Sequence, residues 1–549
     1  GGRTWTPSLD WSYDSRGGVW EVRINPIDPS IVWAATTEGT YRSSDAGGTW
    51  TRVHDVPMAM SLVLHPSDPS RVHVGCGNFG SAGGGVYRSV DDGRNWTRLG
   101  NGFPTTFTGK ISLALSQVAP STVYACVGTV TAPFTGTAFC ISRNEGDTWA
   151  ISVIPNIASY QGWYSHAILP HPSDASRILC VGIDAWRSMN AGESFTQISD
   201  WSSYFFGIVE PGEAEGNLKF VHADIHALTT DPLYRTALYL ATDGGIFHTD
   251  NFGDSFEARN GGYQTSQFYN GAPSHARDST LIIGGLQDNG TVIHRGRRAW
   301  ERVLGSDGAM NLLHPSSTAR LYASWQYGKR YRSNNNGASW VPILGGDINV
   351  AAFVAPFALA VSDPDILYSG ERLVRKSTDA GDTWNAVNGG AVLGSDPLLA
   401  LAVSCCSPDT VYATTAPGTK RARAFVSFNG GTSWRDITGT LPDRFLVDIA
   451  IHPTDARTVY ITASGFGSGH VWKSMDAGTS WSDVGAGLPD LPTSAVAIDP
   501  DEPNTVYVGN DFGVYVSRDG GGAWTAWSEG LPSAVIAMDL SVSPSNRAL

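Results

Sequence analysis

The chain has 549 residues, carries a formal charge of −14 and contains no apolar run near the roughly 20 residues of a membrane-spanning helix. That balance, with no basic patch interleaved with aromatics, argues against a nucleic-acid partner. Glycine (63 residues) and tryptophan (19) are plentiful, as repeated turns and repeated sheet plugs require.

Taken in chain order, the opening Gly1-Gly2-Arg3-Thr4-Trp5 reads as the tail of a pattern that then recurs whole. The pattern is an octet, Ser/Thr-x-Asp/Asn-x-Gly-x-Ser/Thr/Asn/Ala-Trp/Phe. It starts at Ser43, Ser89, Ser142, Ser188, Thr249, Ser333, Ser377, Ser427, Ser474 and Ser517. Recurrence every roughly 45 to 60 residues is the mark of a repeat architecture whose units cannot bury their faces alone. Within an octet the Asp or Asn accepts bonds from amides just ahead, the Gly supplies a left-handed turn residue and the aromatic plugs the sheet. Each octet follows a turn such as His452-Pro453-Thr454-Asp455, an apolar run such as Thr458 to Thr462, and a short run such as His470 to Lys473. That order predicts four-stranded antiparallel blades. Between Thr249 and Ser333 one more blade fits, with a degenerate octet at 295–300. The expectation is an all-β chain of about 11 blades, in two propellers (1–260 and 261–549) or one ring of ten or more blades; rings above about eight are uncommon. Trp50, Trp384 and Trp481 are expected to be mostly buried between blades. The end, Ala534 to Leu549, reads as a first strand that stops early, so that the termini meet in a closing blade or flanking sequence has been removed.

The six cysteines form no metal or redox spacing. Cys405-Cys406 is a vicinal pair seldom closed as a disulfide, Cys126 and Cys140 lie on one blade and could pair, and Cys76 and Cys180 read as buried thiols. The basic run Lys420-Arg421-Ala422-Arg423 reads as a solvated loop.

The repeat breaks between about 160 and 330, the stretch richest in chemistry-bearing side chains. It carries Gln161-Gly162-Trp163-Tyr164-Ser165-His166, His222-Ala223-Asp224-Ile225-His226-Ala227-Leu228, Thr242-Asp243-Gly244-Gly245, Gln267-Phe268-Tyr269, Gly284 to Gly290 and Gly305-Ser306-Asp307-Gly308. On a strand His222, Asp224 and His226 would share one face. Three readings stand: a divalent metal site (zinc on this trio with His166 or Asp243, or calcium on Asp288 and Asn289), an acid/base or binding set, or a polar inter-blade network. Acids in the turns between second and third strands, Glu38, Asp243, Asp288 and Asp511, form a second constellation. Asp243, Asp288 and Asp511 are the candidate catalytic acids. Trp163, Tyr164, His166, His222, Asp224, His226, Gln287, Asn289, Asp307 and Trp325 are the candidate binding residues. His222, Asp224, His226, Asp243, Asp288 and Asp307 are expected to converge on one pocket.

The octet is the Asp-box, and the chain resembles the Asp-box (BNR repeat) β-propeller proteins over essentially its whole length. The ordered motifs of residues 161–308 resemble a subgroup of secreted bacterial Asp-box proteins related to the sortilin (Vps10) class. More distantly the chain is similar to xyloglucanase-type glycoside hydrolases, whose catalytic acids sit in turns like those of Asp243 and Asp511. The arginine triad of sialidases is not found. The resemblance implies a secreted, extracellular or periplasmic protein and names a site without naming a reaction. Together with the acidic turns and the Trp and Tyr side chains able to stack on sugar rings, it points to a protein that binds or cleaves polysaccharide, a glycoside hydrolase if an enzyme. The alternative it implies is a non-enzymatic propeller scaffold for a protein or peptide.

Overall fold

The computed structural model describes residues 6–9, 17–132, 135–263, 266–270, 272–532 and 534–548. The expected tail of an octet at Gly1–Trp5 lies outside them. Among the described residues eleven antiparallel sheets follow one another, each a meander in which neighbouring strands pair in sequence order. They span 19–54, 59–98, 106–153, 167–197, 225–258, 274–304, 312–344, 357–386, 398–436, 445–483 and 493–526, and are numbered here as blades 1 to 11. Four strands per blade is the rule. Blade 3 adds Thr106–Phe107, and blade 6 takes Gly207–Ile208 beside its last strand. The fold is all-β, in propeller blades.

The octets explain why the blades turn where they do. In the first, Ser43 Oγ donates to Asp45 Oδ1 at 2.7 Å and accepts the Gly47 N–H at 2.9 Å, while Thr49 N–H and Oγ1 donate to the same carboxylate. The octets of Asp379 and Asp476 repeat this network. Bonds from Thr49, Thr383 and Ser480 above all hold the three carboxyls down at about 2. The turn asks for more than the expected glycine. The residue before it is also left-handed, as at Ala46 (φ 57°), Asp92 (φ 61°), Phe252 (φ 56°) and Ala477 (φ 59°).

The chain divides into two compact units, one of 1–205 with 211–264 and one of 206–210 with 265–549. The first unit holds blades 1 to 5. Its innermost strands together line one cavity of about 710 Å³, among them Ile24, Leu64, Leu115, Pro170 and Thr230. The second unit holds blades 6 to 11 and closes on itself. A buried tyrosine in the second strand of each of four consecutive blades reaches the next: Tyr322 to Ala380 O (3.4 Å), Tyr368 to Pro408 O (2.8 Å), Tyr412 to Ala456 O (2.7 Å) and Tyr460 to Gly520 O (3.1 Å). The last circuit runs through 537–543. Ala537 N–H donates to Asn510 O of blade 11, Asn270 Nδ2 to Asp539 Oδ2 (3.0 Å), and Ser274 to Ser543 (2.7 Å). This segment was expected as a strand, but it carries no ladder of its own and still ties blade 11 to blade 6.

Trp481 is buried, at 9% exposure, and Trp50 and Trp384 are partly buried. One expectation is corrected by packing. Cys126 and Cys140 are free thiols on adjacent strands, but out of register and on opposite faces: Ala125 opposes Cys140, Cys126 opposes Phe139, and the two sulfurs belong to different apolar clusters. Cys76 and Cys180 are buried as expected.

The buried histidines set a pH dependence. Burial pulls His73 and His54 from 6.5 down to about 4. The folded protein therefore refuses protons that the unfolded chain takes, and stability present above about pH 6.5 is lost as pH falls toward 4. Melting temperature is expected to drop steadily from pH 7 to 4.5. Replacement of His73 by asparagine should flatten that slope; an unchanged slope would show that His73 does not carry it.

Candidate functional site

In the first unit the site is built on the turn between the second and third strands of blade 5, Leu238–Thr242 and Gly245–Thr249. Thr242 Oγ1 accepts the Gly244 N–H and donates to Gly245 O, both at 3.1 Å, which fixes Asp243 at the tip. Gly244 has no room for a side chain because the His222 imidazole lies against it. Asp243 is spoken for twice. His226 Nε2 stands 2.7 Å from its Oδ1, and Tyr164 OH donates to Oδ2 at 3.0 Å. The Tyr164 ring meets His226 edge-on with centroids 4.6 Å apart.

Tyr164 arrives there because three glycines allow a close pass. A Cβ at Gly109, Gly128 or Gly162 would collide with the backbone or side chain of the segments they face, so 161–164 lies directly on blade 3. Lys110 N–H donates to Gly162 O at 2.9 Å, and Asn78 Nδ2 to Trp163 O at 2.9 Å. The result is a chain of rings. Phe79 (64% exposed) lies 5.4 Å from Trp163 (44% exposed), Trp163 lies 5.2 Å from Tyr164, and Tyr164 leads to His226 and Asp243. Phe79 was missed in the sequence. Its signal was its place in the strand 2–3 turn of blade 2, the position Asp243 occupies in blade 5.

The motif 222–226 is not a strand. The first strand of blade 5 begins at Ile225, and Asp224 is left-handed at φ 63°, so His222, Asp224 and His226 do not alternate on one face. Asp224 turns back to accept Ser165 Oγ at 3.0 Å. Burial raises its carboxyl; the Ser165 bond opposes this and neighbouring Asp243 adds to it. His222 Nδ1 stands 3.1 Å from Ala223 O, and His166 faces Ser112 Oγ at 3.1 Å.

In the second unit Asp288 is left-handed (φ 56°) and its N–H donates to Asp307 Oδ1 at 2.9 Å. Gly285, Gly290 and Gly308 pack backbone on backbone beneath it, which is why both motifs need glycine. Asn289 Oδ1 accepts Arg302 at 3.1 Å, and Gln287 N–H donates to Gln267 O at 3.0 Å. Ser306 bonds Gln326 at 3.0 Å, and Lys329 Nζ sits 5.0 Å above the Trp325 ring. Asp511 tops the corresponding turn of blade 11, its carboxyl raised by partial burial. Thus His222, Asp224, His226 and Asp243 gather in one unit, while Asp288 and Asp307 gather in the other.

The donors do not fit a metal. His222, Asp224 and His226 do not bring ligand atoms within 4.8 Å of one another; among the described residues His248, Asp250 and Glu257 do. There the imidazole nitrogens stand 3.1 Å from Glu257 and 3.4 Å from Asp250, and the Arg259 guanidinium pairs with Glu257, so a cation at this cluster would meet a positive charge. Calcium at Asn289 would meet the Arg302 guanidinium.

A family model described as sortilin, neurotensin receptor 3, matches residues 422–534. No curated protein matches the chain. A GH74 enzyme from Niastella koreensis is 18% identical with a TM-score of 0.58, over 92% of this chain and 75% of its own. The GH74 xyloglucanase from Xanthomonas campestris is 15% identical with a TM-score of 0.59, over 92% and 77%. The shared fold is a β-propeller. The chain is thus a sortilin-like, xyloglucanase-like propeller in fold, and no described helix is long and apolar enough to cross a membrane.

Proposed function

We propose that this propeller, exported from the cell and built of Asp-box repeats in two rings, binds polysaccharide and hydrolyses it at the first unit. The observation that carries the reading is the run of rings from the exposed Phe79 and Trp163 to the partly buried Tyr164, ending on the His226–Asp243 pair. Sugar rings stack on such faces while a carboxylate at the end of the run meets the glycosidic oxygen or its attacking water. Asp243, held by two donors, is the carboxylate assigned to the base or nucleophile. Asp224, raised by burial beside it, is the carboxyl suited to hold a proton. Asp288 and Asp511 take binding roles on the equivalent turns of the second unit.

The test is a polysaccharide panel assayed for reducing ends, run in parallel with glycan binding. Replacement of Asp243 by asparagine should cut release on the order of a hundredfold with binding retained. Trp163→Ala should weaken binding about tenfold. The sortilin match over 422–534 favours a second reading, a scaffold for a protein or peptide. No release and no binding on any glycan, with a protein that co-purifies stably, would replace the first reading by the second.

A further inference from the structure

Cys405 and Cys406 have no part in the site described above. They form the two-residue link of the hairpin joining the first two strands of blade 9, Leu398–Ser404 and Ser407–Thr415, with Ser404 paired to Ser407 across it. Both side chains are exposed, and their sulfurs stand 3.2 Å apart. Both thiols also donate to one acceptor in the next blade, Pro453 O, at 2.9 and 3.2 Å. Two S–H groups competing for a single carbonyl hold the sulfurs together more closely than two free rotamers would. The other four cysteines, Cys76, Cys126, Cys140 and Cys180, are buried.

We propose that Cys405 and Cys406 are a reversible redox modification site, closing to a disulfide between adjacent residues on encounter with a small soluble disulfide and opening again with a thiol reductant. One cysteine thiolate attacks a sulfur of the incoming disulfide and expels the first thiolate, leaving a mixed disulfide on the protein. The neighbouring thiol, deprotonated, then attacks the protein-side sulfur of that mixed disulfide and expels the second. Two S–H bonds are lost and one S–S bond forms, and the two electrons leave in the two thiols made from the reagent. The second attack is favoured over a second encounter with reagent because the two sulfurs are preset on one turn, which gives it a high effective concentration. Adjacent Cα atoms are about 3.8 Å apart, below the usual span of about 4.4–6.8 Å for a disulfide, so the closed ring twists its backbone and is easily reduced. Closure also removes both donors from Pro453 O and so unlatches this hairpin from blade 10.

The burial of the other four thiols makes the test clean in the native protein. The protein is treated with oxidised glutathione, alkylated with iodoacetamide without denaturant, and weighed intact and as peptides. Before treatment Cys405 and Cys406 should both be alkylated. After it the protein should have lost two hydrogen atoms and taken up neither glutathione nor alkyl group, and dithiothreitol should restore both alkylations. In Cys405→Ser the remaining Cys406 should instead retain one glutathione, since nothing expels it. Wild-type protein that keeps one or two glutathiones, or that is still alkylated at both positions, would overturn the assignment.

Discussion

Replacing Trp481 with alanine is expected to destabilise the protein by about 3–5 kcal/mol, the range for deleting a large buried ring. The indole is 9% exposed and packs in the apolar cluster formed by blades 9 and 10, with Ile437, Leu441, Leu446, Ile449 and Val459. Its Nε1 donates to Ile437 O at 2.7 Å, so the truncation opens a cavity and also strips a buried carbonyl of its donor. Trp50 offers the internal control. It is half-buried, and among the described residues its Nε1 bonds the exposed Ser8 Oγ at 2.9 Å, so Trp50→Ala should cost clearly less. Denaturant midpoints read both. Equal losses would mean that the octet ring acts through its own turn rather than through the neighbouring blade.

Arg330→Met is expected to cost about 2–6 kcal/mol, from two buried carbonyls losing their donors at about 1–3 kcal/mol each. Arg330 lies in the third strand of blade 7 and is fully buried. Its Nη2 donates to Ala355 O (3.0 Å) and Pro356 O (2.8 Å), its Nε to Ser369 Oγ (3.2 Å), and the guanidinium stacks 4.7 Å from the Phe357 ring. Burial lowers its pKa, and nearby Glu371 opposes that. One side chain thus pins the segment that leads into the first strand of blade 8. Lysine should not rescue it, because an ammonium has neither the planar fork nor the stacking face. A lysine variant as stable as wild type would show that the site needs only a positive charge.

Most of the fold was legible in the sequence because its decisive interactions are local. The bonds from Ser43 through Asp45 to Thr49 close within seven residues, so each octet declares its turn without help from the rest of the chain. The blade lacking a proper octet was legible too, from the two apolar runs at 281–285 and 291–294 that precede 295–300. The repeated buried tyrosines were visible as letters, but their bonds to the next blade were not.

What the sequence determined by itself is therefore the repeat, the four-stranded blade and the turns that bear the acids. What only the tertiary structure decided is which of those acids have partners and which rings reach them. Tyr164 and Asp243 are 79 residues apart, and their meeting depends on Gly109, Gly128 and Gly162 letting one loop lie against another blade. Period-two reading placed His222, Asp224 and His226 on one strand face. The Ser165 hydroxyl, contributed from outside the motif, instead holds the carboxylate of an Asp224 that is left-handed, ahead of where the strand begins. Side-chain alternation is a property of an extended backbone, and whether the backbone extends at such a point is set by contacts between segments far apart in sequence.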